Sequence, residues 1–350
     1  MLEKIRLNVG LLRKRVPNLT TAAKSVGLRP ATVSNLTTGK IPVGRAEVRT
    51  IVALAELAGC SLDELILRGE SVEMIETGIK TLDLFAPIAK GGTVGLVARP
   101  GMGQLVVLAE MLHRLKNDGY INILIKPKGN HPEIDDILDN VDFVAENIDE
   151  VYKMMESAGK AKHFVLTADR SYVLTGEMFT LLEMLDGKGM TEITTFLLDL
   201  KGEAVDDNLP YGPLDTLWQF DADLAARHKY PAVNPIYSTS SILEGSYLDP
   251  VHHSIQQKAQ KLLRRYRELR SIVTVHGLGR LPASELQVYE QGEKLEAYLT
   301  QPFYVAEPYT GKKGVSVSLK DTLSDVKKIL EEPSSIYNAE DLNFIGKIDL

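Results

Sequence analysis

A single cysteine, Cys60, stands in 350 residues, which excludes a disulfide framework and fits a reducing compartment. No stretch approaches the ~18 uninterrupted apolar residues that a membrane-spanning helix requires. The opening residues Met1-Leu2-Glu3-Lys4 lack the apolar core of a secretory signal. A soluble cytoplasmic protein with no membrane partner is therefore expected. Metal chemistry lacks its usual signature, because His252 and His253 are adjacent and adjacent helical positions do not converge on one ion. Neither a Gly-x-Ser-x-Gly nucleophile motif nor any repeat, low-complexity tract or proline-rich linker is present.

What is present is unevenly distributed. Residues 1–70 hold 11 Lys/Arg against 6 Asp/Glu, a balance of +5, while the whole chain carries −7. The remainder is thus at −12. A basic head on an acidic body is the pattern of a nucleic-acid-binding domain joined to something else. At 44% hydrophobic content the chain can bury a sizeable core, in two or three domains.

Five short helices are expected in the head. Leu2, Ile5, Val9 and Leu12 fall at helical spacing. Thr20–Val26 reads as a second helix stopped by Gly27, and Pro30–Leu36 as a third with proline in its first turn. A fourth runs from Ala46 to Ala58, with Val48, Ile51, Ala55 and Ala58 on one face. Ser61-Leu62-Asp63-Glu64 is a capping box opening a fifth.

From Thr20 to Lys40, with Ala23, Gly27, Val33, Ser34, Leu36 and Gly39 in place, this arrangement resembles the helix-turn-helix domain of the lambda-repressor/Cro type. The resemblance implies that the third helix lies in the major groove of double-stranded DNA. Arg29, Ala31, Thr32, Ser34 and Asn35 are then the residues to meet bases. Asn35 suits a bidentate bond to adenine, and Arg29 suits guanine or phosphate. Lys24, Lys40, Arg45 and Arg49 would contact phosphates, setting affinity and salt dependence rather than sequence preference.

Further along, Val94–Val97 reads as a buried strand entering Ala98-Arg99-Pro100-Gly101-Met102-Gly103-Gln104-Leu105 and then an apolar helix from Gln104 to Leu115. Strand, glycine turn and helix form the layout of a phosphate-binding P-loop. Its phosphate-gripping lysine would fall at Gln104 and its Mg²⁺-binding hydroxyl at Leu105.

The blocks Thr77–Gly92, Tyr230-Pro231-Ala232-Val233-Asn234-Pro235, Ser238-Thr239-Ser240, Gln301–Gly311 and Ser318–Thr322 occur in one order over the last 280 residues. Through them the body resembles the β subunit of rotary ATP synthases, with the helix-turn-helix domain in place of that family's N-terminal barrel. The resemblance implies a RecA-like α/β domain and a C-terminal helical domain. Its catalytic groups are replaced: Gln104 and Leu105 in the loop, Gly129 where a water-positioning glutamate is expected, Ser241 where an arginine is expected. Asp169 retains the carboxylate that ends the Walker B strand Phe164–Asp169. Losing an arginine finger alone costs ~10³–10⁵ in rate, so a pseudo-ATPase is expected. Tyr230, Phe303 and Tyr309 match the family's adenine-stacking residues, and stacking contributes ~1–3 kcal/mol per base. Arg99, Lys126 and Lys128 lie where an altered anion site would form. No cofactor is expected, weak adenine-nucleotide binding being the alternative. The basic run Lys258–Arg267 reads as a solvated helix face.

The expectation is an α/β protein with residues 1–69 as a helix-turn-helix domain, 73–245 as a degenerate RecA-like domain, and 246–350 as a C-terminal helical domain. Its function would be that of a transcriptional regulator on double-stranded DNA, with the body serving self-association, as a dimer or ring, or ligand sensing. An architectural or assembly protein on DNA and a weak, unorthodox ATPase are the two alternatives.

Overall fold

A computed structural model describes residues 5–16, 19–37, 41, 43–68, 73–159, 163–207, 211–212, 214–244, 248–331 and 338–348. The chain divides into two compact units: Met1–Glu73 with Ser241–Pro250, and Met74–Ser240 with Val251–Leu350.

The first unit departs from the expected helix at its start. Ile5 lies in β1 (Ile5–Leu7), which pairs antiparallel with β2 (Ile66–Arg68) so that Ile5 faces Arg68 and Leu7 faces Ile66. Helix α1 begins only at Val9 (Val9–Arg15), because the Asn8 side chain accepts from Leu11 N and fixes the start there. Leu2 lies outside the described residues. The second helix splits into α2 (Leu19–Ala22) and a 3₁₀ turn Ala23–Val26, which Gly27 ends at φ +73. Then follow α3 (Pro30–Thr37), α4 (Val48–Ala58) and α5 (Leu62–Leu65). Val48 is not on the buried face of α4; it is the first helical residue and 77% exposed. The inward stripe is Ile51, Leu54, Ala55 and Ala58. The capping box is formed: Glu64 N donates to Ser61 Oγ at 3.2 Å and Ser61 N to Glu64 Oε2 at 2.8 Å. Leu12, Leu54 and Leu65, all fully buried, centre this core.

The second unit is mixed α/β. Strands β3 (Met74–Ile75) and β4 (Ile88–Ala89) pair antiparallel on either side of α6 (Lys80–Phe85). After them come β5 (Thr93–Val97), α7 (Gln104–Asn117), β6 (Ile121–Ile125), α8 (Asp135–Leu138), β7 (Phe143–Ala145), α9 (Ile148–Ala158) and β8 (Phe164–Asp169). The chain continues through α10 (Arg170–Leu174), α11 (Glu177–Asp186), β9 (Ile193–Leu198), β10 (Thr216–Gln219), α12 (Ala222–Ala226) and β11 (Thr239–Ser240). Among the described residues β5 to β11 form one seven-stranded sheet in the order β11-β10-β5-β9-β8-β6-β7. Only the β10–β11 pair is antiparallel. Parallel strands covered on both faces need apolar residues at successive positions, and β9 is buried at all six. One face packs on α7 through Leu108, Met111 and Leu112, with Phe196 and Trp218. The other packs on α9 and α11 through Val151, Met155, Leu181 and Leu185.

Beyond the sheet lie α13 (Ser241–Glu244), which belongs with the first unit, then α14 (Pro250–His276), α15 (Ala283–Tyr298), α16 (Glu307–Thr310) and α17 (Leu319–Glu331). Ile255, Leu263, Leu295, Tyr298, Val326 and Ile329 form a third core together with Leu84 and Phe85 of α6. The C-terminal helices and the sheet therefore share one compact unit. No helix among the described residues is long and apolar enough to cross a membrane.

Candidate nucleic-acid interface and the edge of the sheet

Helix α3 is anchored by Val33 and Leu36. With those two inward, Ala31 and Ser34 are exposed and Thr32 and Asn35 half-buried on the remaining surface. Arg29, one residue before the helix, is exposed, and its carbonyl accepts from Thr32 N and Val33 N. Lys24 and Arg45 are also exposed. None of Lys24, Arg29 and Arg45 has a carboxylate within ion-pair distance among the described residues. Arg49, by contrast, pairs with Glu47 at 3.3 Å, both side chains being largely in water. Lys40 lies outside the described residues. Helix α3 thus presents two hydroxyls and an amide, and the exposed cations Lys24, Arg29 and Arg45 lie in the segments before and after it. That is the chemistry needed for phosphate and base-edge contacts.

In open α/β sheets ligands bind beyond the carboxyl ends of the parallel strands. Here that edge gathers the loop after β5, Lys126 and Lys128 after β6, Asp169 at the end of β8, and Asp199 after β9. The β5 loop turns through Gly101 and Gly103, at φ +87 and +85, and α7 starts at Gln104, which is buried. A P-loop would aim a cationic side chain from this position at phosphate; Gln104 has no charge to offer.

Four cations at this edge are instead met by the protein's own carboxylates, while Lys201, after β9, is exposed with none in ion-pair distance among the described residues. Arg99 Nη2 donates to Asp206 Oδ1 at 2.9 Å, and Arg170 Nη2 to Asp207 Oδ2 at 2.6 Å. Lys126 pairs with Glu146 at 3.0 Å and Lys128 with Glu177 at 2.5 Å. The bond to Glu177 holds the Lys128 ammonium above its ordinary range, and the same bond holds Glu177 below the usual carboxylate range. Asp206 and Asp207 belong to a segment laid over the β5 loop. Gly202 comes so close to Pro100 that a Cβ there would sit 2.6 Å from Pro100 Cδ, and its φ of +74 independently favours glycine.

Asp169 is likewise committed inward. One oxygen accepts from Ser171 N at 2.9 Å, capping α10, and the other from Leu200 N at 3.3 Å. Asp199 does the same for Lys201 N and Ala204 N. Both carboxylates thereby join strand ends to the segments that follow them.

The three aromatic residues do not form a sandwich. Tyr230 packs its ring against Gly103, so it does reach the loop. Phe303 is 5% exposed and belongs to the core on the α7 face of the sheet. Tyr309 is 90% exposed on α16. Phe303 fills core volume, while Tyr309 stands in water and packs on neither of the others.

Some charged residues at depth were not marked by any motif. Glu110 and Arg114, one turn apart on α7, form a buried pair at 2.7 Å; Arg114 also donates to the carbonyls of Thr77 and Val315. A cleft bounded by α12, α14 and α15 has an internal volume of about 50 Å³, room for a few waters. Among its charges Arg227 pairs with Asp223 and Glu296, Arg270 with Asp223 and Arg267 with Asp221, while Lys229 donates to Asn343 Oδ1 at 2.5 Å. The i,i+4 spacing of Glu110 and Arg114 was visible in the sequence, but nothing there distinguished a buried pair from a surface one. No protein-family model matches the chain.

Proposed function

We propose that this protein is a sequence-specific double-stranded-DNA-binding regulator whose body keeps a nucleotide-binding layout without hydrolytic chemistry. One observation carries the reading: α3 holds Val33 and Leu36 in the core while Arg29, Ala31, Thr32, Ser34 and Asn35 remain accessible. In this reading Asn35 accepts from and donates to an adenine edge, and Arg29 takes guanine or a phosphate. Lys24, Arg45 and Arg49 neutralise phosphates and release counterions. The basic balance of the first 70 residues supports it. A lone helix-turn-helix reader binds weakly, so the body serves to bring two copies onto paired half-sites.

The body acts as a scaffold in this reading. Gln104 supplies no charge, Leu105 no metal ligand, and Arg99, Lys126 and Lys128 already hold carboxylates. Selection of bound fragments from a random duplex library at two salt concentrations tests the proposal. An enriched motif, with half-sites about one helical turn apart, is the expected result. Uniform and strongly salt-dependent binding would replace it with an architectural DNA-binding role. An absence of binding at low salt would reject DNA as the partner.

A further inference from the structure

Helix α14 buries Ile255, Ala259, Leu263, Tyr266 and Leu269 and leaves its opposite side in water. That outer side carries Lys258, Lys261 and Arg264, all exposed and three residues apart. Residues at this spacing are neighbours on a helix, so like charges there repel. Some exposed cations of the acidic body are cancelled by pairing, as at Lys90–Glu192, Lys116–Asp142, Lys188–Glu156 and Lys327–Glu331. Lys153, Lys201, Lys313 and Lys320 stand singly without a carboxylate in ion-pair distance among the described residues; on α14 three stand in a row. Glu268 lies one turn from Arg264 on the same helix, yet it is used by another cation. Arg265 takes Glu268 and Glu285 at 2.7 Å each, while Arg267 and Arg270 turn to Asp221 and Asp223. Lys258, Lys261 and Arg264 have no carboxylate within ion-pair distance among the described residues.

The stripe spans six helical steps, ~9 Å of axis at 1.5 Å per residue. A DNA duplex offers one negative charge per ~1.7 Å of its axis, so such a length faces several phosphates. Long, freely rotating side chains reach them without a preformed pocket. We infer that Lys258, Lys261 and Arg264 form a phosphate-contact surface for double-stranded DNA, adding sequence-independent affinity. The inference rests on the reading of this chain as a DNA-binding protein. It gives the acidic body a role on the same class of ligand as α3.

The test uses the full chain and duplex affinity measured from 50 to 200 mM salt. Wild type is compared with K258Q/K261Q/R264Q and with K153Q/K313Q/K320Q, which removes the same charge from three scattered exposed positions. Each phosphate contact contributes ~0.9 to the slope of log affinity against log salt, so the stripe variant should flatten it by about 2.7. Over this fourfold range wild type should lose ~40-fold more affinity than the stripe variant. The scattered variant should keep the wild-type slope, and thermal melting should be alike for all three. A stripe variant with the wild-type slope, or two variants flattened equally, overturns the inference while leaving the reading of α3 intact. An acidic protein as the true partner of the stripe would give the first of these results. A wild-type chain that binds no duplex at 50 mM overturns both.

Discussion

The segments flanking α3 and the carboxyl edge of the parallel sheet both bring cations to solvent, and they treat those charges differently. Around α3, Lys24, Arg29 and Arg45 have no carboxylate within ion-pair distance among the described residues. At the sheet edge Arg99, Lys126, Lys128 and Arg170 each have one. A cation with an internal partner contributes to the protein's own electrostatics, and an external anion must displace that partner. A cation without one is available to phosphate at no such cost. The two surfaces therefore differ in how far their cations are already met by carboxylates, Lys201 being without one at the sheet edge among the described residues.

Removing charges that differ in their partners separates the two regions. Arg114→Met leaves Glu110 buried with an unpaired charge, and it should lower unfolding free energy by ~3–5 kcal/mol in chemical denaturation. A loss under 1 kcal/mol would mean that Glu110 is not held by Arg114 in the way its burial implies.

Lys80 tests the same principle through pH. Its ammonium is fully buried, donates to the Ile345 and Gly346 carbonyls and lies 4.1 Å from the Tyr298 ring centroid. Burial lowers its pKa to about 7 against an opposing pull from Asp325. Between that value and the ordinary 10.5 the unfolded chain binds more protons, so stability rises with pH and the gain is absent below about 7. Tyr298 is held above its ordinary range, chiefly by burial, and stays neutral through this window. Between pH 7 and pH 10 the stability of wild type measured against Lys80→Met should rise by roughly 3 kcal/mol, the difference cancelling the opposite pull of the tyrosines that burial holds above their ordinary range. Equal pH dependence in the two proteins would assign the effect to another group.

At α3 the effect should move from stability to binding. Arg29→Ala should leave the melting temperature unchanged and weaken specific duplex binding by ~1–3 kcal/mol if Arg29 reads a base. A uniform loss across sequences would assign Arg29 to phosphate instead. The smallest effect belongs to Arg99→Ala. Both partners of the Arg99–Asp206 pair are more than half exposed, so the change should cost under ~1 kcal/mol. It should also leave phosphate release from ATP at background in both proteins; ATP-dependent release that Asp169→Ala abolishes would contradict the silent-edge account.

Local signals carried much of the fold. The Ser61 capping box, the Gly27 stop and the apolar runs of β5 and β8 each act within a few residues, and each stands where the chain places it. Ile5 failed because helical spacing across Asn8 ignored the cap, and because β2, some sixty residues away, completes the strand. The missing lysine at Gln104 was legible as a residue identity. The partners of Arg99 and Arg170 were not, since Asp206 and Asp207 reach them only through the fold of a segment over a hundred residues after Arg99. Phe303 and Tyr309 lie six positions apart in sequence, yet one is core and the other surface; motif matching could not separate them.

The most direct measurement repeats the random-duplex selection with wild type and with Asn35→Ala side by side. Asn35 is half-buried on α3 beside the anchoring Leu36, so truncating it removes the amide and spares the core. The account predicts an enriched motif for wild type and the loss of an adenine preference at one position of each half-site in the variant. Identical motifs from both proteins, or no motif from either, would contradict the claim that α3 reads sequence.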